Sequence, residues 1–406
     1  MDFLSPLADS RFVRLFAAQV TALLGTGLLT IALALLAVDI AGAKGGLVLG
    51  FALTLKMIAY VGLAPIANAL LGGLPRRELM VALDLIRAVI ALLLPFVSEI
   101  WQIYALIFVL QSASAAFTPT FQATIPDILP DEATYTRALS LSRLAQDIEN
   151  IASPALAAAL LVLIPASALF FGTALGFLGS AALVWLANPP RPAERAKAST
   201  WQRTFAGMRL YLTTPRLLGL LALTMAAAAG SAMVIVNTAV IVGTLFERGQ
   251  ADVALAMGAF GVGSVLAALA LPRILDHLPD RPVMLAGAGG LSVTLIFGAV
   301  ILALAPAFGA GLWPAYLSWM AAAGLCYSAI LTPTGRLLRR SADAAERPAL
   351  FAAQFALSHA CWLIAYPLAG MLGVWAGMTT ASVLLGLLAA AAALAARQLW
   401  PGPGSA

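Results

Sequence analysis

Residues 217–245 read LLGLLALTMAAAAGSAMVIVNTAVIVGTL, without a single acid or base. A helix needs about 20 consecutive apolar residues to cross the hydrocarbon core of a bilayer. Comparable runs recur along the whole chain, separated by short polar stretches. At membrane depth no water satisfies the backbone, which leaves helices or closed barrels. Barrel strands alternate apolar and polar residues over about 10 positions, and these runs do not alternate. The chain is 62% hydrophobic and 10% charged, against roughly 25% charged in soluble domains, so a soluble fold is excluded.

The pattern predicts an all-α membrane protein with spans near 13–37, 47–71, 79–98, 101–124, 137–163, 167–187, 217–245, 253–274, 283–305, 313–334, 349–372 and 377–397. The first run is too long for a signal-peptide core and has no small-residue cleavage site, so it is expected to be the first span. In this topology the loops of one side hold nearly all the basic residues, from Arg11 and Arg14 to Arg397. Only Lys44 and Arg248 fall in loops of the other side. The positive-inside rule makes the basic side cytoplasmic and puts both termini there. The net charge of +5 is then a topology signal, and no nucleic-acid partner is expected. Cys326 and Cys361 lie inside apolar runs and are expected to be free thiols.

The segment 188–216 divides the chain into residues 1–187 and 217–406. It is expected to carry either a short surface helix with Trp201, Phe205 and Leu212 near one face or an ordinary linker. The two parts echo one another. LLGGLPRRELM at 70–80 aligns with ILDHLPDRPVM at 274–284, pairing Leu74 with Leu278, Pro75 with Pro279, Arg77 with Arg281 and Met80 with Met284. Thr118-Pro119-Thr120 matches Thr332-Pro333-Thr334, and Pro154 matches Pro367. Two parallel six-helix bundles, related by an axis along the membrane normal, account for landmarks repeated in this order.

With these features the chain resembles the major facilitator superfamily over nearly its whole length. The repeated turn falls where that family keeps its Gly-x-x-x-Asp-Arg-x-Gly-Arg-Arg motif between helices 2 and 3. DLIRA at 84–88 and FQATIPDILPDEATYTRALSLSR at 121–143 are similar to a bacterial branch of siderophore exporters, multidrug exporters and nickel-resistance permeases. The resemblance implies a monomeric secondary transporter of the inner membrane, most often a proton-driven exporter of small molecules. In the first turn Asn68 takes the leading glycine position, Gly72 and Gly73 take the Asp-Arg positions, and only Arg76 and Arg77 remain. The second turn keeps Asp276 and Arg281. Asp84 is expected to substitute for the missing acid by pairing with Arg87 or Arg77. The helix 5 Gly-Pro of the family's antiporters is here Ser153-Pro154.

Charges at mid-membrane are costly and are therefore functional candidates. Lys56 falls near the middle of the second span, and Arg143, Asp147 and Glu149 fall on the fifth. Arg143 and Asp147 are four apart and share a face, while Glu149 lies on another face with Ser142, Gln146 and Ser153. A carboxylate moved between dry and cation-rich settings can bind and release a proton, which makes Glu149, ahead of Asp147, the leading candidate for proton coupling. The structural alternative is a fixed Arg143–Asp147 bridge with Glu149 neutralised by Lys56. His359 can titrate near neutral pH and is a further candidate. His359 and Cys361 point to different faces of one helix, so no metal site is expected. The resemblance places substrate contacts on helices 1, 4, 7 and 10, where Gln19, Thr26, Gln111, Ser114, Asn237, Trp319 and Tyr327 are the candidates. This weakly polar, aromatic set suits amphipathic or neutral organic molecules. The chain has no Gly-x-x-x-x-Gly-Lys-Ser/Thr loop, Ser-His-Asp set or HExxH motif, so no enzyme activity or cofactor is expected. An importer or uniporter of a metabolite, or a non-transporting scaffold or lipid-handling protein, are the other readings.

Overall fold

The computed structural model describes residues 5–63, 74–190, 200–342 and 347–400. Among these residues the regular structure is helical throughout, with no strand. The long helices are α1 (Ser10–Ala41), α2 (Gly45–Ile58), α3 (Arg76–Leu93), α4 (Ile100–Ile128), α5 (Glu132–Leu161) and α6 (Leu169–Ala187), followed by α7 (Pro215–Val240), α8 (Gln250–His277), α9 (Asp280–Phe308), α10 (Trp313–Leu331), α11 (Arg347–Trp375) and α12 (Gly377–Leu399). Most run a few residues beyond the apolar stretches that mark them, as helices do when polar end-turns reach into the headgroup region. Among the described residues, nine helical segments are long and apolar enough to cross a membrane.

The ends of these helices follow local chemistry. Pro75 precedes α3, and Pro215 opens α7 at a position whose amide would have no partner within the helix. Glu99 and Gln102 form a reciprocal capping box at the start of α4. Asp131 caps α5 by accepting from the Thr134 amide at 2.9 Å. Gly42, after α1, takes φ +56°, and Gly309, after α9, takes φ +48°. A side chain would be strained at both positions.

The chain packs as two compact units. The first holds Met1–Leu36 with Ile58–Ala198, and the second holds Ala37–Met57 with Ser199–Ala406. In the first unit Phe12 and Leu15 of α1 pack with Phe117 and Phe121 of α4 and Leu141 of α5. In the second, α7 is buried along most of its length, as a run without charges allows. Within GAFGVG at 258–263, Gly263 serves packing there: a methyl on it would run into the backbone of Ala321, so its absence lets α8 lie against α10.

The segment after residue 199 is a helix, Thr200–Thr213, and more than a linker. Its Tyr211 is buried, and the phenol donates to the Gln354 side chain of α11. Leu212 is exposed, whereas the side chains of Trp201 and Phe205 lie outside the described residues.

Candidate functional site

In the first unit α1 and α5 enclose a cavity of about 190 Å³, lined by Phe16, Val20, Leu23, Leu24, Leu141, Ala145 and Glu149. Glu149 is the one polar side chain of that lining. Its presence has a sequence cause: α5 carries SRLAQDIENIAS, the most polar stretch of any long helix here, and α1 offers a glycine opposite it. A methyl on Gly27 would overlap the Ser153 hydroxyl and the Glu149 carboxylate. Gly27 therefore lets α5 bring both polar groups directly onto the α1 backbone. The Ser142 and Ser153 hydroxyls and the Gln19 Oε1 are buried without a hydrogen-bond partner among the described residues. The α1–α5 region thus combines an apolar cavity wall, one carboxylate and several uncommitted polar atoms. Such a region can hold a proton or the polar end of an apolar guest.

The other first-unit candidates are placed as follows. The Thr26 hydroxyl turns back to the Ala22 carbonyl at 2.9 Å, and the Ser114 hydroxyl to Leu110 at 3.1 Å. Gln111 is buried. The backbone of α5 passes through Arg143 and Asp147, but their side chains lie outside the described residues.

In the second unit His359 of α11 holds its Nδ1 2.7 Å from the Phe355 carbonyl and its ring 4.0 Å from the Phe355 ring. Trp362 stands 6.5 Å from that imidazole and donates to the Ser231 hydroxyl at 2.8 Å. Lys56 of α2 belongs to this unit and acts electrostatically on the His359 ring. Tyr327 lies 5.4 Å from Phe260.

Two of the expected substrate contacts, Asn237 and Trp319, are buried against neighbouring helices. Asn237 is buried and donates to the Ala369 carbonyl at 3.1 Å, and its Oδ1 fills the space that a methyl on Gly46 or Gly373 would need. Trp319 is buried, donates to the Thr294 carbonyl at 2.8 Å and occupies the space over Gly298. Both side chains have their donors committed to neighbouring helices, while the Asn237 Oδ1 is buried without a hydrogen-bond partner among the described residues.

The repeated turns carry charged pins. Arg76 begins α3 and pairs with Asp127 near the end of α4. Arg77, next to it, stacks 3.6 Å from the centre of the Trp185 ring and donates to Asn188 at 3.1 Å, so it holds the end of α6. Asp84 pairs with Arg87, the first of its two expected partners; Arg77 is engaged elsewhere. The Arg87 guanidinium lies between the rings of Phe117 at 4.2 Å and Phe177 at 4.5 Å. In the second turn Asp280 begins α9 and accepts from Arg336 Nε at 2.8 Å and Nη2 at 2.5 Å, and from Arg340 at 3.1 Å. Arg281 donates to the Trp400 carbonyl at 2.8 Å and the Arg397 carbonyl at 3.0 Å, capping α12. Arg281 thus caps a helix, and the side chain of Asp276, its expected companion, lies outside the described residues, as do Asn68, Gly72 and Gly73. Asp127 and Asp280, the carboxylates that bind arginine here, were not among the sequence candidates. The signal was available: the alignment of the two turns sets Arg76 opposite Asp280. Among the described residues no three His, Cys, Asp or Glu side chains gather to hold a metal ion.

Comparison with known proteins places this architecture. The family model described as Major Facilitator Superfamily matches residues 15–293. An uncharacterized MFS-type transporter, YfiS, of Bacillus subtilis (strain 168) is 28% identical over 151 residues, which cover 37% of this chain and 36% of that protein. Macrolide efflux protein A of Streptococcus pyogenes is 25% identical over 193 residues, covering 46% of this chain and 47% of that protein. The matched stretches therefore span less than half of either relative. Among solved structures, the nucleoside transporter NupG (D323A mutant) aligns with a TM-score of 0.73 at 14% identity, covering 97% of this chain and 100% of that one. A bacterial homolog of the human lysosomal transporter Spinster, in an inward-facing and unoccupied conformation, gives 0.72 at 13%, covering 97% and 98%. The D-xylose-proton symporter gives 0.70 at 13%, covering 96% and 98%. At these identities the likeness is one of fold.

Proposed function

Because the chain belongs to the Major Facilitator Superfamily, we propose that this transporter exports small amphipathic organic compounds in exchange for protons, by alternating access. The observation that carries this reading is Glu149, the one carboxylate of an otherwise apolar cavity between α1 and α5. A carboxylate in such a place favours its protonated form when dry and releases the proton when water or a cation reaches it. Alternating access supplies that change of setting. The apolar wall suits the hydrophobic body of an amphipathic guest, and the efflux named for one relative, Macrolide efflux protein A, supports outward transport. Lys56, His359, Asp147 and Arg143 are the further coupling candidates. Gln19, Thr26, Gln111, Ser114, Asn237, Trp319 and Tyr327 are the proposed substrate contacts.

The proposal includes twelve spans in two six-helix bundles, 1–187 and 217–406, joined by 188–216. The 54-residue segment Ser10–Leu63 and the 60-residue segment Asp280–Arg339 are each too long for one crossing, at about 1.5 Å per residue against a core of about 30 Å. Each turns at a positive-φ glycine, Gly42 or Gly309, and so makes two crossings. α5, at 30 residues, has the length of a span and falls outside the apolar set through its charged residues. An even count with the basic residues on one side gives two cytoplasmic termini in a bacterial inner membrane.

The experiment is substrate-dependent proton flux in proteoliposomes, with the protein acting as a monomer. Export predicts protons moving opposite to the compound. Movement in the same direction would give an importer, compound movement without protons a uniporter, and no movement of either a scaffold or lipid-handling protein.

A further inference from the structure

We infer that the second unit carries, around the Asp280 turn, a binding site for the phosphate of an anionic phospholipid headgroup. Five arginines belong to this turn: Arg336 and Arg340 through Asp280, Arg281 and Arg339 as chain neighbours of Asp280 and Arg340, and Arg397 through its backbone carbonyl. Arg336 and Arg340 meet on Asp280, at 2.8, 2.5 and 3.1 Å. Arg336 also donates to the Leu275 carbonyl at 3.2 Å. Arg281 follows Asp280 in sequence and reaches the Arg397 and Trp400 carbonyls. Arg339 precedes Arg340 and donates to Gly335 at 3.3 Å. Among the described side chains Asp280 is the one carboxylate in the cluster, and two arginines already occupy it. Arg339 and Arg397 are exposed, and Arg340 keeps 59% of its side chain exposed.

The corresponding turn of the first unit differs. There Arg76 is balanced by Asp127, Arg77 lies on Trp185, and Glu78 adds a second acid. Orientation in the membrane asks for basic residues at both turns alike, so it does not account for an excess at one of them. The depth is that of headgroups: Asp280 opens and Arg339 closes the 60-residue segment that crosses twice, and Arg397 lies in the last turn of Gly377–Leu399. Arginine forks match phosphate oxygens two at a time, and basic clusters at the ends of membrane helices bind anionic headgroups. The same chemistry would take soluble phosphate, and the test separates the two sources.

Native mass spectrometry of the full chain in mixed micelles would count retained phosphatidylglycerol against phosphatidylcholine of the same acyl chains. Phosphatidylglycerol should be retained at least about fivefold more often, as a few favourable surface charges allow. The double variant Arg339→Gln/Arg397→Gln, which leaves the Asp280 contacts intact, should lose most of that preference, and Arg77→Gln should keep it. Melting in phosphatidylcholine alone checks that the double variant is folded, and it should match the wild type. Equal retention of the two lipids, or an unchanged preference in the double variant, overturns the proposal. Displacement of phosphatidylglycerol by an equal concentration of inorganic phosphate also overturns it, by assigning the site to a soluble anion.

Discussion

The turns before α3 and α9 solve one problem with opposite charges. In the first, Arg76 at the start of a helix holds Asp127 near the end of α4; in the second, Asp280 at the aligned position holds Arg336 and Arg340 beyond α10. The neighbouring arginines, Arg77 and Arg281, both secure the end of the last helix in their half, one through Trp185 and Asn188 and the other through two backbone carbonyls. What the repeat preserves is the joint between helices, and the sign of the charge is free to change if its partner changes too. The exposure is unequal: the arginine side chain is 9% exposed in the first joint against 29% and 59% in the second, while the acids are at 19% and 6%. On the arginine side the first joint is the drier one, and replacing its arginine should be the more damaging change.

Arg76→Asp should have the largest effect. It sets two acids against each other in a mostly buried place and should cost about 3–5 kcal/mol, read as a fall in melting temperature in detergent. The exchanged pair, Arg76→Asp with Asp127→Arg, should recover most of the loss; no recovery would break the equivalence of the two joints. Asp280→Asn comes next, at about 1–3 kcal/mol, because water can reach the two arginines it releases. A cost above that of Arg76→Asp would reverse the ranking by exposure. Arg281→Lys should cost about 1 kcal/mol, since lysine lacks the fork that reaches two carbonyls. Arg77→Lys should cost about 0.5 kcal/mol, the scale of an exposed cation–aromatic contact. The smallest effect belongs to Asp131→Asn at the same end of the first unit. The Thr134 hydroxyl and amide hold the Asp131 carboxyl below the usual carboxylate range. Its contribution should therefore be present above about pH 4 and vanish as the pH falls through the lowered value. A difference from wild type that persists at pH 2 would contradict this account.

The helices were legible because bilayer thickness writes itself into apolar run length, and the repeated turn because Leu74-Pro75 returns at Leu278-Pro279. Asp84 with Arg87 was legible as a pair three residues apart on one helix. Asp127 and Asp280 were not, although Asp280 stood in the aligned turn. A search for acids kept at fixed motif positions passes over a position whose charge has inverted, and Asp127 lies 51 residues from the arginine it meets. The packing of Asn237 and Trp319 was not legible, because polar and aromatic residues in spans look alike in sequence whether they line a cavity or join helices. The glycines they pack over, Gly46, Gly373 and Gly298, lie on other helices. Glu149 was singled out by its face on α5, but the cavity beside it depends on Gly27 of α1, which no single-helix reading connects to it.

The proposal turns on whether Glu149 carries the proton. Reconstituted Glu149→Gln can be compared with the wild type for transport of one compound, first against its gradient under an imposed proton gradient and then as exchange between equal concentrations. The account predicts that the variant loses uphill transport and keeps exchange. Uphill transport at the wild-type rate in Glu149→Gln would contradict it.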